Sequence, residues 1–262
     1  LDVAPYYPGG WGLLGAVQYF NGRIDDAVDS LEFALATEPE SPSVLLTMAH
    51  CLYTKNNYKA ALEYFHKYNA ADPSDPDYLN MANCYYRLGD TDLAIEYLDK
   101  IVIDMTKQPI NDDEFYHIFN IAETYYFCNF PQKSIQILEY LLQGSPENTD
   151  VLMFYGTCKL AVGDLETASV FFSQMLYLVD DYWQNLLSVA TAFASYGPFE
   201  IAIDIVNSVL KYVSVHNHES DRLESAYAIM ALAQFNSCNH QEFLKYLKLA
   251  CNLTPQLVQQ LF

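Results

Sequence analysis

The chain has 262 residues, 52% of them hydrophobic, with 22 tyrosines, 15 phenylalanines and only 10 glycines. Thirty-three acidic residues against 13 Lys and Arg give a net charge of −20. That balance excludes a nucleic-acid binder, which needs clustered cations to displace counterions, disfavours an anionic membrane surface, and favours solubility and a basic partner. No run of 18 apolar residues is free of charges and breakers, so no membrane span is expected; the nearest, "NLLSVATAFASYGPF", ends at Gly197-Pro198.

Few glycines and many Leu, Ala and Tyr predict helices, and the chain repeats. "LDVAP" puts Pro5 where a preceding unit would close, so residues 1–7 read as the tail of an earlier helix pair. A frame opens at Pro8, with Trp11, Leu14 and Gly15 in its first helix, Ala27, Leu31 and Ala34 in its second, and Pro39 closing it. Units follow at 8–41, 42–74, 75–114, 115–148, 149–182, 183–223 and 224–257, two of them lengthened by "TKQPINDD" (106–113) and "VHNHESDR" (215–222). Residues 258–262, within "LVQQLF", begin a further helix. The chain therefore reads as a single domain, 1–262, cut from a longer array.

Three columns carry the repeat. Gly15, Ala49, Ala82, Ala122, Gly156, Ala190 and Ala231 are all small and belong to first helices. Ala27, Ala61, Ala94, Ser134, Ala168 and Ala202 are small in the second helices, with Phe243 breaking the pattern. Paired small columns are expected to let two antiparallel helices approach closely. Four residues on, Leu31, Phe65, Leu98, Leu138, Phe172, Val206 and Leu247 are bulky, and are expected to fill the seam between neighbouring units. A turn column reads Gly22, Asn56, Gly89, Asn129, Gly163 and Gly197, residues that tolerate the left-handed conformation ending a helix. It breaks at Cys238-Asn239, which suggests a turn shifted by one and a degenerate last unit.

These columns resemble the tetratricopeptide repeat (TPR) family, whose pattern W-x2-L-G-x2-Y…A-x3-F…P the first unit matches as "WGLLG…A…L…A…P". The resemblance covers nearly all the chain. It implies an all-α, right-handed TPR superhelical solenoid of about seven helix-turn-helix repeats, with first helices lining a concave face.

Mapping the groove columns of that family onto this chain gives Tyr19, Phe20, His50, Tyr53, Asn83, Tyr86, Arg87, Tyr116, Phe119, Glu123, Tyr126 and Phe127. Tyr19, Tyr53, Tyr86 and Tyr126 form a ladder through four units; Tyr85 and Tyr125, one residue earlier, are expected to pack between helices. Tyrosine brings large contact area, low entropy cost and a polar tip, which suits an interface as well as a core. One TPR subfamily grips acidic chaperone C-termini with lysines and asparagines. Asn83 matches one such column, but Gly12, Leu46, Leu79 and Phe119 stand where the lysines would be, so that ligand is not expected.

Catalytic signals are poor: there is no phosphate loop, G-x-S-x-G or H-E-x-x-H. The six cysteines lack CxxC spacing and read as reduced, mostly buried thiols. Cys51 and Cys84 share a column in adjacent units, but helices packed about 8–10 Å apart place equivalent positions too far apart for shared metal ligation. His216 and His218 lack a firm third ligand, so no metal and no cofactor is expected. Free cysteines without a span favour the cytoplasm.

The function expected is a non-catalytic protein-interaction scaffold, not an enzyme, taking an apolar or basic protein segment in its aromatic groove. The alternatives are a spacer or self-association module of a larger protein, and a chaperone for a secreted substrate.

Overall fold

A computed structural model of the chain describes residues 8–101, 103, 111–216 and 220–253. The expected earlier-unit tail, most of the first insert, Pro255, and the expected final helix lie outside them. Among the described residues there are fourteen helices and no strand: α1 (Pro8–Phe20), α2 (Ile24–Thr37), α3 (Pro42–Thr54), α4 (Tyr58–Ala71), α5 (Tyr78–Arg87), α6 (Thr91–Leu98), α7 (Asp112–Phe127), α8 (Pro131–Gly144), α9 (Thr149–Ala161), α10 (Leu165–Leu178), α11 (Tyr182–Tyr196), α12 (Phe199–His216), α13 (Ser220–Asn236) and α14 (His240–Leu253). Packed pairs follow chain order, α1 with α2, α3 with α4, α5 with α6, α9 with α10, α11 with α12 and α13 with α14, so the fold is all-α tandem helix-turn-helix repeats.

Local chemistry starts these helices. Asn57, Asp77, Asp90, Asn148, Asp164 and Asp181 each accept a hydrogen bond from the backbone N–H three residues on, which satisfies a donor the helix cannot. Pro42 and Pro131 occupy first-turn positions whose missing N–H costs nothing.

The turns within hairpins share a positive-φ residue. Gly22, Asn56, Gly89, Asn129, Gly163, Gly197 and Cys238 all have positive φ, between 59° and 85°. The last turn is therefore not shifted by one residue: Cys238 itself takes the left-handed position, although its side chain pays a steric penalty that glycine avoids. Cys238→Gly is expected to stabilise the chain by about 1 kcal/mol, raising Tm by about 2–4 °C. Cys238→Ala, which also removes the exposed thiol, should leave Tm unchanged; equal shifts for both in a thermal melt would locate the gain elsewhere.

The small first-helix column is buried throughout, and at Gly15 and Gly156 the bulky second-helix residue lies directly on it. A Cβ on Gly15 would stand 2.6 Å from Leu31 Cγ, and one on Gly156 would stand 2.6 Å from Phe172 Cε1. So the bulky residue does more than fill the seam between units: it is seated first over the small residue of its own hairpin. Phe172 also meets Phe193 of the next hairpin edge-on at 5.7 Å. Ala27, Ala61, Ala94, Ser134, Ala168 and Ala202 are fully buried, as the close approach of paired helices requires.

The chain divides into two compact units, residues 1–105 with 123–129, and residues 106–122 with 130–262. In the first, Ala27, Leu31, Ala34, Val44, Met48 and Cys51 form one core cluster, and Ala49, Ala61, Phe65, Met81 and Cys84 the next. In the second unit one cluster runs from Leu152 to Ala233. No described helix is long and apolar enough to cross a membrane.

Candidate partner-binding site

In the first unit the first helices α1, α3 and α5 and the last turn of α7 bring most of the mapped columns together. Tyr19 stacks on His50 with ring centres 6.2 Å apart, and Phe20 beside it is 84% exposed. His50 meets the buried Phe65 edge-on at 5.5 Å and places Nε2 3.2 Å from Asp77 Oδ2. Asp77 is the N-cap of α5. Its carboxylate accepts from the Asn80 backbone N–H at 3.1 Å and from Asn80 Nδ2 at 2.9 Å, and its own N–H donates to Asn69 Oδ1 at 3.1 Å. Burial would raise the Asp77 pKa, but the hydrogen bonds from His50 and Asn80 outweigh it and hold the carboxyl below its ordinary value.

A second line of contacts runs alongside. Tyr53 meets Tyr58 edge-on at 5.4 Å. Burial pushes its hydroxyl pKa up, and the facing Arg87 guanidinium partly offsets that rise. Arg87 also lies 5.9 Å from the Tyr86 ring centre, and Tyr86 stacks on Phe127 at 6.0 Å. Phe127 is 53% exposed and touches Tyr126 edge-on at 5.6 Å. Asn83 Oδ1 accepts from Thr124 Oγ1 at 3.0 Å, and Glu123 beside it is half-buried. The first three tyrosines of the ladder thus reach the next hairpin through different residues: Tyr19 through His50, Tyr53 through Arg87, Tyr86 through Phe127.

Tyr116 and Phe119 belong to the second unit, where Phe119 meets Phe154 at 5.6 Å and Tyr116 lies against Phe115 at 5.7 Å. Tyr85 and Tyr125 pack as expected: Tyr85 stacks on Tyr97 at 5.2 Å, and the Tyr125 hydroxyl donates to Asp99 at 2.6 Å. Sequence reading missed Asp77, Asn80, Thr124 and Tyr58. The spacing Asp77-x-x-Asn80 is itself a capping signal.

Cys51, Cys84, Cys128 and Cys158 are free and buried. Burial pushes the Cys51 thiol up to about 11 and those of Cys84 and Cys158 up to about 12, so none is a nucleophile near neutrality. Among the described residues, no three His, Cys, Asp or Glu side chains are grouped to hold a metal. The side chains of His216 and His218 lie outside the described set.

Two family models, each described as tetratricopeptide repeat, match residues 21–81 and 78–103. No curated protein matches the chain by sequence. Among solved structures, a tetratricopeptide repeat protein from Parabacteroides merdae superposes with a TM-score of 0.71 at 13% identity, over 97% of this chain and 96% of that one. The C-terminal part of a TPR repeat-containing protein from Cytophaga hutchinsonii gives 0.59 at 16% identity, over 93% and 95%. PilF of Pseudomonas aeruginosa gives 0.57 at 15%, over 80% and 92%. At such identities the likeness is one of fold. Residues 21–103 are tetratricopeptide repeats, and the hairpins on either side of them share that fold.

Proposed function

We propose that the chain is a non-catalytic scaffold whose first-unit first-helix face receives a partner protein segment. The observation that carries this reading is an aromatic surface that is half-exposed yet already held in place. Tyr19, Tyr53, Tyr86, Phe127 and Phe20 offer ring area, while Asp77, Asn80, Arg87 and Thr124 fix the side chains among them. Rings held before the partner arrives lose little entropy on binding. With a net charge of −20, the segment that fits is apolar with Lys or Arg beside its anchors. Asn83, Tyr86, Glu123, Tyr126 and Phe127 would form the floor at one end.

A displayed peptide library selected on the chain tests this. Enriched peptides should pair aliphatic or aromatic anchors with basic residues. They should lose more than about tenfold in affinity for Tyr53→Ala/Tyr86→Ala, since an interface hot spot contributes about 2 kcal/mol or more. Binding should also weaken with salt. Peptides that bind the double variant equally would remove this face from the function.

A further inference from the structure

Four rings share one column of the second helices, each just before the bulky residue: Tyr64, Tyr97, Phe171 and Tyr246. Three of them are covered by a ring of their own hairpin's first helix. Tyr97 meets Tyr78 at 6.0 Å and Tyr85 at 5.2 Å, Phe171 meets Tyr155 at 4.5 Å, and Tyr246 meets Tyr227 at 6.3 Å. Tyr64 of α4 meets no ring among the described residues. At the positions of Tyr78 and Tyr85, α3 has Leu45 and Leu52.

Where a ring would cover Tyr64 there is open space. A notch of about 510 Å³ has Leu35, Pro39, Leu45 and Tyr64 among its walls, with Glu40 and Lys67 beside them. A cavity of about 150 Å³ already takes a benzene ring, so this one has room for a phenol or an indole. Its floor is built, since Leu45 is 2% exposed.

The charges around the notch suit a ring as well. In the next hairpin Lys100 Nζ lies 3.9 Å from the Tyr97 ring centre and 6.0 Å from that of Tyr78, so one ammonium faces two rings. Its counterpart Lys67 lies 4.6 Å from the Tyr64 ring centre, with no second ring to face. Lys100 pairs with Glu96 at 2.9 Å. Lys67 has Glu63 at the same spacing but is in no ion pair among the described residues, and neither is Glu40, which stands where the next hairpin has Ser74. An ammonium favours the face of a ring, and a carboxylate accepts from an O–H or N–H at its edge.

We infer that this notch takes a tyrosine or tryptophan side chain of a partner protein, in the place that Tyr78 holds against Tyr97 and Lys100. The ring lies against Tyr64 and under the Lys67 ammonium, and its O–H or N–H donates to Glu40. Such a ring fills a pocket with large area and little entropy to lose, the usual chemistry of an interface anchor. The notch shares no residue with the first-helix face, so it stands or falls apart from the groove.

A displayed peptide library selected on the Tyr53→Ala/Tyr86→Ala variant tests this, because that variant lacks two groove rings and keeps the notch. Enriched peptides should share a Tyr or Trp. Adding Lys67→Glu, at an exposed position, should weaken them about fivefold or more through loss of the cation–π contact, with unchanged helical circular dichroism. Adding Leu45→Tyr should abolish binding, since its own ring fills the notch. Replacing a peptide's tyrosine by phenylalanine should cost about fivefold, and that difference should vanish on Glu40→Ala. Enriched peptides without Tyr or Trp, no enriched peptide at all, or equal binding to Lys67→Glu would overturn the proposal.

Discussion

Phe172→Ala is expected to cost about 4 kcal/mol, a loss of order one thousandfold in the folding constant. Phe172 is 2% exposed, roofs Gly156 and meets Phe193, so its removal opens a cavity at the joint between two hairpins. The reciprocal change, Gly156→Leu, drives a side chain into the same ring and should cost about 3 kcal/mol. The roughly 1 kcal/mol of helix propensity gained over glycine does not offset that. Combined, the two should restore much of the loss, because the leucine fills the space the ring vacates. A coupling of about 1–3 kcal/mol is expected from urea titrations of the four species. Trp183, stacked on Tyr212 at 4.3 Å in the same unit, supplies the fluorescence signal. Additive losses would show that the pair is not one packing device.

That pair also shows where sequence reading succeeded and where it stopped. The columns were legible because close helix approach admits only small residues, and every hairpin records that constraint at the same spacing. What the columns did not contain was who faces whom. Gly15 faces the Ala27 backbone, small against small as expected, and is also covered by Leu31, a residue one turn further along the partner helix. A helical period fixes which residues share a face; it does not fix the axial offset between two helices. The last turn failed for a related reason. Gly and Asn announce a left-handed residue, but the hairpin geometry demands that conformation whatever stands there, and at Cys238 it overrides local preference.

The candidate site divides along the same line. The exposed rings were found by column, since the repeat aims the same position of each first helix the same way. The polar ties were not, because they depart from the column rule. At the position of Asp77, α3 has Val44 and α9 has Val151, both buried and apolar, while α7 has His117 and α11 has Asn185, so Asp77 is the carboxylate of a column of mixed polarity. A carboxylate there is tolerated only with partners, and His50 and Asn80 supply them from two helices, while Asn69 on α4 accepts from the Asp77 backbone N–H. The feature that sets this hairpin apart is therefore the one that averaging over repeats conceals. Tyr19 belongs to the same set, since the ring it stacks on is the ring Asp77 holds.

Asp77→Ala should accordingly destabilise the first unit by about 2.5–3 kcal/mol: about 1 for the lost N-cap and about 1.5–2 for the hydrogen bonds to a charged group. Asp77→Asn keeps an oxygen for the Asn80 N–H and should cost less, about 1 kcal/mol. The pH dependence separates charge from shape. Asp77 has a folded pKa below its unfolded value of about 3.9, so its ionised form contributes stability above that value. The contribution is lost as pH falls through the folded pKa. The stability gap between wild type and Asp77→Asn should therefore be constant above about pH 5 and close as acid protonates the wild-type carboxyl. Trp11, which packs on Phe33 at 5.0 Å, reports unfolding of this unit. A gap that persists unchanged into acid would mean that Asp77 acts by shape alone, and the charge would drop out of the account of how His50 and Tyr19 are held.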